Sequence, residues 1–303
     1  MDPIPLRTAL RGGAREGRHA PVKRLVVNAD DLGADPARNA GIFAAVRGGA
    51  VTSVSVLVNG PAFEASREEL AALCRRGLSV GLHLNLSEGR PLASGLRRLV
   101  GVDRAFLGKW AAHARLEDGE DAELAREVSR ETEAQLGALV AAGLSPDHLD
   151  GHQHVHLYPA VLPLALEAAR CAGIRWFRVP DQHLALERQA SGLPPGAARF
   201  ATLAARARPA VEAAGLRCAD HFRGLDLVGR LDQETLHHVV AALDEGVTEL
   251  MVHPGHAGPD VGPFSRFSSP ARDTERLDLL RPGFRRALAR AGAVLGPFPG
   301  EDD

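Results

Sequence analysis

The stretch RLVVNADDLGADP at residues 24–36 shows how the fold begins. Its first seven residues form a short apolar run that is too brief for a helix and therefore predicts a strand. Asp35 followed by Pro36 is typical of a helix start, because an aspartate caps the first turn and proline suits the first helical position. The helix is predicted to run to about Arg47 and to stop at the two glycines that follow. An acidic turn thus separates a strand from a helix.

The same order of strand and helix recurs along the chain. Further strands are predicted at residues 52–58, 78–84, 147–150, 174–179, 248–252 and 293–295. Further helices are predicted at about 66–76, 122–142, 159–171, 195–214, 232–243 and 280–291. Such alternation implies a parallel sheet, and seven or eight units favour a closed barrel in an α/β protein, with an open doubly wound sheet as the alternative. Since no linker divides the chain, we expect one domain over 22–298, a flexible N-terminal tail at 1–21 and a short C-terminal tail at 299–303.

The composition excludes several classes of protein. The 303 residues are 45% hydrophobic and 24% charged, which is typical of a globular chain and not of a disordered one. Lys+Arg 36 against Asp+Glu 38 leaves a net charge of −2, so no nucleic acid or membrane partner is expected. No run approaches the ~18 apolar residues of a membrane span, and no secretory signal is visible, so a cytoplasmic location is expected. The three cysteines are scattered, which excludes a disulfide framework.

Histidines are concentrated in one window, HLDGHQHVH at residues 148–156. Five residues of this window have the same parity and would share one face of an extended strand: His148, Asp150, His152, His154 and His156. The glycine within the window makes it more natural for a strand to end there and lead into a loop. The carboxyl ends of parallel strands carry the active sites of such folds. A metal-binding or catalytic role is therefore favoured over a solvated loop.

Two adjacent carboxylates, Asp30 and Asp31, lie where the first strand ends. Neighbouring strand residues point in opposite directions, so the two side chains cannot make the same contacts. One can bind a cation while the other accepts a proton from water held by that cation. The alternative is a simple capping loop, but Asp35 already fills the capping position. The pair is thus left without an obvious structural role.

Two further motifs place a histidine at a predicted strand end: GLHLN at 81–85 and ELMVHPG at 249–255. In a barrel, His83 and His253 would meet the acidic pair at the mouth, although His83 between two leucines also suits a core position. One Asp with two His, leaving positions open for water and substrate, is the arrangement of a catalytic divalent metal. Imidazole ligands favour Zn²⁺, whereas Mg²⁺ prefers oxygen ligands. Hydrolysis with a metal-activated water is therefore predicted.

These motifs resemble those of the YdjC-like carbohydrate deacetylases, a family that includes the chitooligosaccharide deacetylases. The matching stretches occur in family order at 28–33, 51–53, 58–60, 81–85, 148–156, 220–224 and 249–255. They span about residues 24–295, and only Leu32 departs, standing where many members carry Phe. The resemblance implies a distorted TIM-like (β/α) barrel in a single α/β domain. It also implies removal of the N-acetyl group from a small acetylated sugar, either an acetylated amino sugar or a short chitooligosaccharide.

The resemblance assigns roles to particular residues. It implies that Asp31, His83 and His152 bind one divalent metal ion, Zn²⁺ or Mg²⁺. It also implies that Asp30 is the general base and His253 the general acid. Four residues are predicted to contact substrate or to support the site: Asn85, His154, His156 and Arg178. For Arg178, a salt bridge to a neighbouring carboxylate such as Asp181 is an equal alternative.

Two other functions remain open at this point. A metal-dependent sugar-phosphate hydrolase or isomerase would need a basic phosphate clamp, for which Arg178 and Arg223 are the candidates. A non-catalytic sugar-binding protein with a retained metal is disfavoured, since it would not need a second carboxylate beside the ligand. The expected partner is a small acetylated sugar, and a homodimer is preferred among the oligomeric states. Substrate choice is expected to depend on the loops at 87–110 and 182–217, with 265–276 considered as a lid.

Overall fold

The computed structural model describes residues 22–182, 197–258, 263–264 and 270–300, with the side chains of 197, 198 and 201 excepted. The predicted N-terminal tail at 1–21 lies outside this description. The strands are β1 (Lys23–Leu32), β2 (Ser53–Val56), β3 (Ser79–Leu84), β4 (His148–Gly151), β5 (Trp176–Phe177), β6 (His221–Arg223), β7 (Gly246–Val252) and β8 (Val294–Leu295). The α-helices are α1 (Pro36–Arg47), α2 (Phe63–Cys74), α3 (Lys109–Leu116), α4 (Ala122–Ala141), α5 (Leu162–Cys171), α6 (Ala197–Ala213), α7 (Gln233–Ala241), α8 (Pro270–Leu280) and α9 (Pro282–Ala291).

The strands form one parallel sheet in the order β5-β4-β3-β2-β1-β7-β6, and β8 pairs with the beginning of β1. The two end strands approach each other through Arg217, which precedes β6. Its carbonyl oxygen accepts from the Phe177 backbone N–H at 2.8 Å, and its own N–H donates to the Arg175 carbonyl at 2.8 Å. The predicted TIM-like (β/α) barrel is thus confirmed. The distortion lies at β5 and β6, which are only two and three residues long.

The first strand-to-helix unit forms as its sequence predicts. The Asp35 side chain accepts a hydrogen bond from the Arg38 backbone N–H at 2.8 Å, and α1 begins at Pro36. Gly33 makes the turn possible, because its φ is +104° and a Cβ atom there would lie 2.4 Å from the Leu57 carbonyl oxygen. Only glycine adopts this conformation without strain.

The alternation of side chains along β1 divides the interior into two environments. Leu25, Val27 and Ala29 belong to the large apolar core, whereas Val26 packs in a separate cluster with Trp176 and Phe298. The alternate residues Val26, Asn28 and Asp30 face the inside of the barrel, and the last two, toward the carboxyl end of the strand, are polar. The barrel therefore has an apolar base and a polar mouth, and the candidate site lies at that mouth.

Helix α4 anchors the long loop that follows β3. The buried Glu131 carboxylate accepts hydrogen bonds from the backbone N–H groups of Leu92 (3.0 Å) and Ala93 (2.8 Å). The buried Glu127 carboxylate accepts three more, from residues 97–99 at 2.7–3.1 Å. Backbone donors that secondary structure does not use are satisfied in this way. The loop is thus held in a defined conformation beside the mouth.

Several elements depart from the sequence-based expectations. Helix α3 and strand β6 were not predicted, and the helix expected at 280–291 begins only at Pro282. Residues 270–280 form the separate helix α8, which contains the second half of the segment considered as a lid; 265–269 lie outside the described residues. No helix in the described ranges is both long and apolar enough to cross a membrane.

Candidate metal and catalytic centre

Asp31, His83 and His152 come together at the barrel mouth. One ligand atom from each lies within 4.8 Å of the other two, and all three residues are buried. Asp31 Oδ1 is 3.0 Å from His152 Nδ1 and 3.6 Å from His83 Nε2. These residues come from β1, from β3 and from the segment directly after β4. A carboxylate and two imidazoles in this arrangement can hold a divalent ion.

A break in the regular strand geometry separates the two adjacent carboxylates. The pairing register between β1 and β2 shifts between Ala29 and Leu32, and Asp31 has a φ of +71°. A non-glycine residue rarely adopts this left-handed conformation, which is concentrated at functional sites. As a result Asp30 points toward the centre of the barrel, while Asp31 faces His152.

Each member of the candidate ligand set is also contacted through its other polar atom. These contacts join His83 Nδ1 to Asp150 Oδ1 (2.7 Å), His152 Nε2 to Glu88 Oε2 (3.0 Å) and Asp31 Oδ2 to Arg272 Nη2 (2.6 Å). Such outer partners fix the orientation of metal-binding side chains. The two histidines therefore direct different ring nitrogens toward Asp31.

The charges around Asp31 and His152 are those of a cation site. Burial tends to raise the pKa of Asp31, but Arg272, His152 and Arg38 outweigh it and hold that pKa well below its usual value. Burial tends to lower the pKa of His152, yet hydrogen bonding and charge from Asp31 and Glu88 raise it to about 9. Without an ion, His152 is therefore protonated at neutral pH. That proton supplies positive charge where a cation would supply it.

Arg178 lies directly after β5 and binds three buried carboxylates. Its Nη1 and Nη2 donate to the two oxygens of Asp30 at 2.7 and 2.8 Å. Nη2 also lies 2.7 Å from Asp150 Oδ2, and Nε donates to Glu249 Oε1 at 2.7 Å. Burial opposes the guanidinium charge, but these carboxylates raise the pKa of Arg178 well above its usual value. Arg178 thus forms salt bridges, as one of the two alternatives predicted, but its partners are Asp30, Asp150 and Glu249 and not Asp181.

A second group of potential ligands, Asp30, His83 and Asp150, also lies within 4.8 Å. Arg178 already bridges its two carboxylates, so a positive charge is present there without a metal. A cation in this group would be repelled by the guanidinium. The set containing Asp31 and His152 is therefore the better candidate for an ion.

His253 lies one residue beyond β7 and is half-buried. Its backbone N–H donates to Glu275 Oε2 at 2.7 Å, which ties the end of β7 to α8. Burial lowers the pKa of His253 to about 4 and is only partly offset by the charge of Asp30. Burial raises the pKa of Glu275 to about 7, against the effects of the His253 backbone N–H and of Arg272.

His154 and His156 follow the barrel wall away from the candidate ligand set. His156 Nε2 lies 3.0 Å from the Arg178 carbonyl oxygen, and the His154 ring stands edge-on to Phe200 at 4.8 Å between centroids. Within the described residues, Nδ1 of each histidine has no hydrogen-bond partner. Gln153 and His154 have φ values of +53° and +58°, so the chain turns sharply and the five residues of the window do not share a face. Their predicted substrate contacts remain a prediction.

His148, at the start of β4, lies apart from the other histidines of the window. Its Nδ1 is 2.6 Å from Asp147 Oδ1, and its ring packs against Phe298 near the base of the barrel.

Asn85 shapes the loop that carries Glu88. Its Nδ2 donates to the Glu88 carbonyl oxygen at 2.7 Å, and its Oδ1 accepts from the Ser87 and Glu88 backbone N–H groups at 3.0 and 3.2 Å. The structure thus gives Asn85 a role in the loop, while its predicted contact with substrate remains a prediction.

A cavity of about 470 Å³ adjoins the candidate site on the side of Glu88. Its lining includes Asn59, Glu88, Arg90, Phe106, Gly108 and Pro263. Most of these residues belong to the 87–110 loop that was expected to affect substrate choice. Trp110 is 70% exposed at the start of α3.

Four residues of this centre were not predicted: Glu88, Glu249, Arg272 and Glu275. Glu249 is the first residue of a recognised motif and lies in the middle of β7, so its place in that motif was a usable signal. Arg272 and Glu275 belong to a helix that carries no motif, so their approach to Asp31 and His253 had no local signal. Glu88 lies in a loop whose path cannot be deduced from periodicity.

Comparison with known proteins gives a consistent result. Residues 24–290 match the family model described as YdjC-like protein. A human protein named carbohydrate deacetylase is 41% identical over 302 residues, covering 91% of this chain and 90% of its own length. The chitooligosaccharide deacetylase of Citrobacter koseri is 38% identical over 154 residues, covering 50% of this chain and 57% of its own.

A solved structure has the same fold. It is that of an Enterococcus faecalis V583 protein provisionally named a cellobiose-phosphate cleavage protein, with a TM-score of 0.72 and 23% identity. The similarity covers 91% of this chain and 97% of the other. The family match extends from β1 to α9, and the resemblance of the strand-end motifs is thereby confirmed: the chain belongs to the YdjC-like protein family.

Proposed function

We propose that the protein is a metal-dependent hydrolase that removes the N-acetyl group from an acetylated amino sugar or a short chitooligosaccharide. One observation carries the proposal: a carboxylate outside the candidate ligand set, Asp30, places Oδ2 3.9 Å from Nε2 of the ligand candidate His83. A proton acceptor beside a cation site is the arrangement that hydrolysis by activated water requires. The human and bacterial relatives named as deacetylases support this choice of reaction.

Asp31, His83 and His152 would hold the ion. The set fits a divalent cation, because its atoms converge within 4.8 Å and Asp150 fixes the His83 ring through Nδ1. Two imidazoles and one carboxylate suit Zn²⁺ better than Mg²⁺. When bound, such an ion supplies a Lewis acid for the acetamide carbonyl and lowers the pKa of water toward about 7.

Asp30 accepts the proton of the attacking water. Its Oδ1 is bound by Arg178 and by Asn28 Nδ2 at 2.8 Å each, while Oδ2 takes one Arg178 bond and faces His83. Oδ2 is therefore the oxygen that receives the proton. The guanidinium keeps the carboxylate in one orientation, which favours a positioned base.

His253 donates a proton to the departing amine nitrogen, which leaves poorly as an anion. Its low pKa makes the imidazole neutral in the resting protein at pH 7. Once Asp30 has taken up the proton its own charge is gone, but the negative charge that then develops on the substrate oxygen, together with that of Asp31, raises this pKa. The proton taken up by Asp30 can then reach the leaving nitrogen through His253.

The alternative of sugar-phosphate chemistry loses its main support. Arg178, the stronger candidate for a phosphate clamp, is fully buried among Asp30, Asp150 and Glu249. The Arg223 Nη1 group donates to the Phe222 carbonyl oxygen at 3.0 Å. Acetyl hydrolysis needs no such clamp.

The decisive experiment measures acetate released from diacetylchitobiose by the purified protein, before and after chelation and after Zn²⁺ is restored. We expect acetate release to stop on chelation and to return with Zn²⁺. Asp31→Asn should lose both the bound ion and the activity, whereas Asp118→Asn, an exposed carboxylate variant, should keep both. Phosphate release from sugar phosphates, or activity in Asp31→Asn equal to that of the wild type, would contradict the proposal.

A further inference from the structure

Glu88 makes a contact that the proposed reaction does not use. Its Oε2 lies 3.0 Å from His152 Nε2, and its side chain is 13% exposed. Asn85 bonds to both the N–H and the carbonyl group of Glu88, so the backbone at this position is fixed. The carboxylate therefore reaches the histidine from a defined point on the cavity wall.

Among the described residues, the two ring contacts of His152 do not select which of its nitrogens faces Asp31. The His83 ring stands edge-on at 5.4 Å between centroids and the Phe264 ring at 5.9 Å, and an edge-on ring contact does not depend on which imidazole atom is nitrogen. A half-turn of the ring about its Cβ–Cγ bond would replace Nδ1 by a carbon near Asp31. The same half-turn would remove Nε2 from Glu88, so Glu88 favours the orientation in which Nδ1 faces Asp31, and it does so from outside the candidate ligand set.

We propose that Glu88 is a positioning residue for His152: it holds a proton on Nε2, so that Nδ1 faces Asp31 and His83 and is the nitrogen left to bind an ion once it gives up its own proton. In His83 the two ring nitrogens have exchanged roles: Asp150 contacts Nδ1, and Nε2 faces Asp31. The nitrogen that binds a metal is set by the hydrogen bond of the other nitrogen. This inference rests on the ion site of the proposed function.

The test measures the affinity of the metal-free protein for Zn²⁺, by competition with a chromophoric chelator. Loss of an outer partner commonly weakens metal binding by about 10–100-fold. We expect that loss in Glu88→Ala and a smaller one in Glu88→Gln, whose amide oxygen still accepts from Nε2–H. Glu133→Gln is the matched control, since this glutamate is exposed on α4 and bonds only to Ser129 among the contacts described.

Urea unfolding of the metal-free proteins separates positioning from folding. A purely structural role would lower the free energy of unfolding in Glu88→Ala without changing Zn²⁺ affinity in the folded fraction, and this result would overturn the inference. Zn²⁺ affinities of both variants within twofold of the wild type would also overturn it. A wild type that binds no Zn²⁺ would contradict the ion site itself. Tight binding without acetate release would contradict only the proposed function.

Discussion

Arg178 and Asp30 form a two-bond ion pair inside the barrel, with Nη1 2.7 Å from Oδ2 and Nη2 2.8 Å from Oδ1. The two residues are 148 positions apart in the chain, at the carboxyl ends of β5 and β1. Planar guanidinium and carboxylate groups match in this geometry, so the pair fixes orientation as well as charge. The proposed proton acceptor is therefore held by a residue that is itself buried.

Replacing Asp30 with Asn should separate proton transfer from ion binding. The amide keeps the size of the side chain but cannot accept the proton, so kcat should fall by at least ~10². Zn²⁺ content should stay at the wild-type level, because Asp30 is outside the candidate ligand set. Acetate release and metal analysis on the same sample test both points. Full activity with Zn²⁺ bound would exclude Asp30 as the base.

Replacing Arg178 with Met should destabilise the protein. Asp30, Asp150 and Glu249 would remain buried without their shared cation, and breaking a buried ion pair on one side costs about 3–5 kcal/mol. Arg178→Lys should recover only part of this loss, since an ammonium group cannot bond to three carboxylates in the same geometry. Urea unfolding at pH 7 measures the change. If the free energy of unfolding falls by less than about 1 kcal/mol in Arg178→Met, the three carboxylates are neutralised in another way.

The parts of the fold that local chemistry determines were predictable. Asp35 and Pro36 define the start of α1 because a cap and a fixed φ act within one turn. The motifs that contain Asp31, His83 and His152 are predicted to meet because parallel strands bring their carboxyl ends to one edge. The resemblance to the YdjC-like family singles out these three residues, and the structure brings their atoms within 4.8 Å.

Contacts between distant segments were not predictable in the same way. Arg272 reaches Asp31 across 241 positions, and no periodicity or motif marks it. The position of the Glu88 side chain depends on the path of its loop. That path is fixed by hydrogen bonds with the side chains of Asn85 and of residues on α4. Asp150 was read as one of a row of site residues, but its oxygens bond to His83, Ser55 and Arg178. Such networks follow from tertiary packing and not from local sequence.

Glu275 should make folding stability depend on pH. Burial raises its pKa from 4.5 to about 7, so the folded state binds a proton more tightly than the unfolded state does. Stability should therefore be greatest below about pH 4.5 for this group and fall as the pH rises to 7, by on the order of 3 kcal/mol. Glu275→Gln should remove this slope and stabilise the protein at pH 8. The amide oxygen can still accept from the His253 backbone N–H.

Urea midpoints at pH 5 and pH 8 test the assignment to Glu275. Glu68→Gln, an exposed variant on α2, should keep the wild-type difference between the two pH values. An unchanged difference in Glu275→Gln would assign the pH dependence to other groups.

Replacing Glu127 with Ala should loosen the loop beside the cavity. Its carboxylate accepts from three consecutive backbone N–H groups, at Arg97, Arg98 and Leu99, and these would lose their partner. We expect the free energy of unfolding to fall by about 2–3 kcal/mol and trypsin to cleave faster after the two arginines. Because this loop lines the cavity and does not supply the proposed base, KM for diacetylchitobiose should rise several-fold more than kcat falls. Trypsin should cleave Glu133→Gln, a variant on the same helix, at the wild-type rate. If trypsin also cleaves Glu127→Ala at the wild-type rate, other contacts hold the loop.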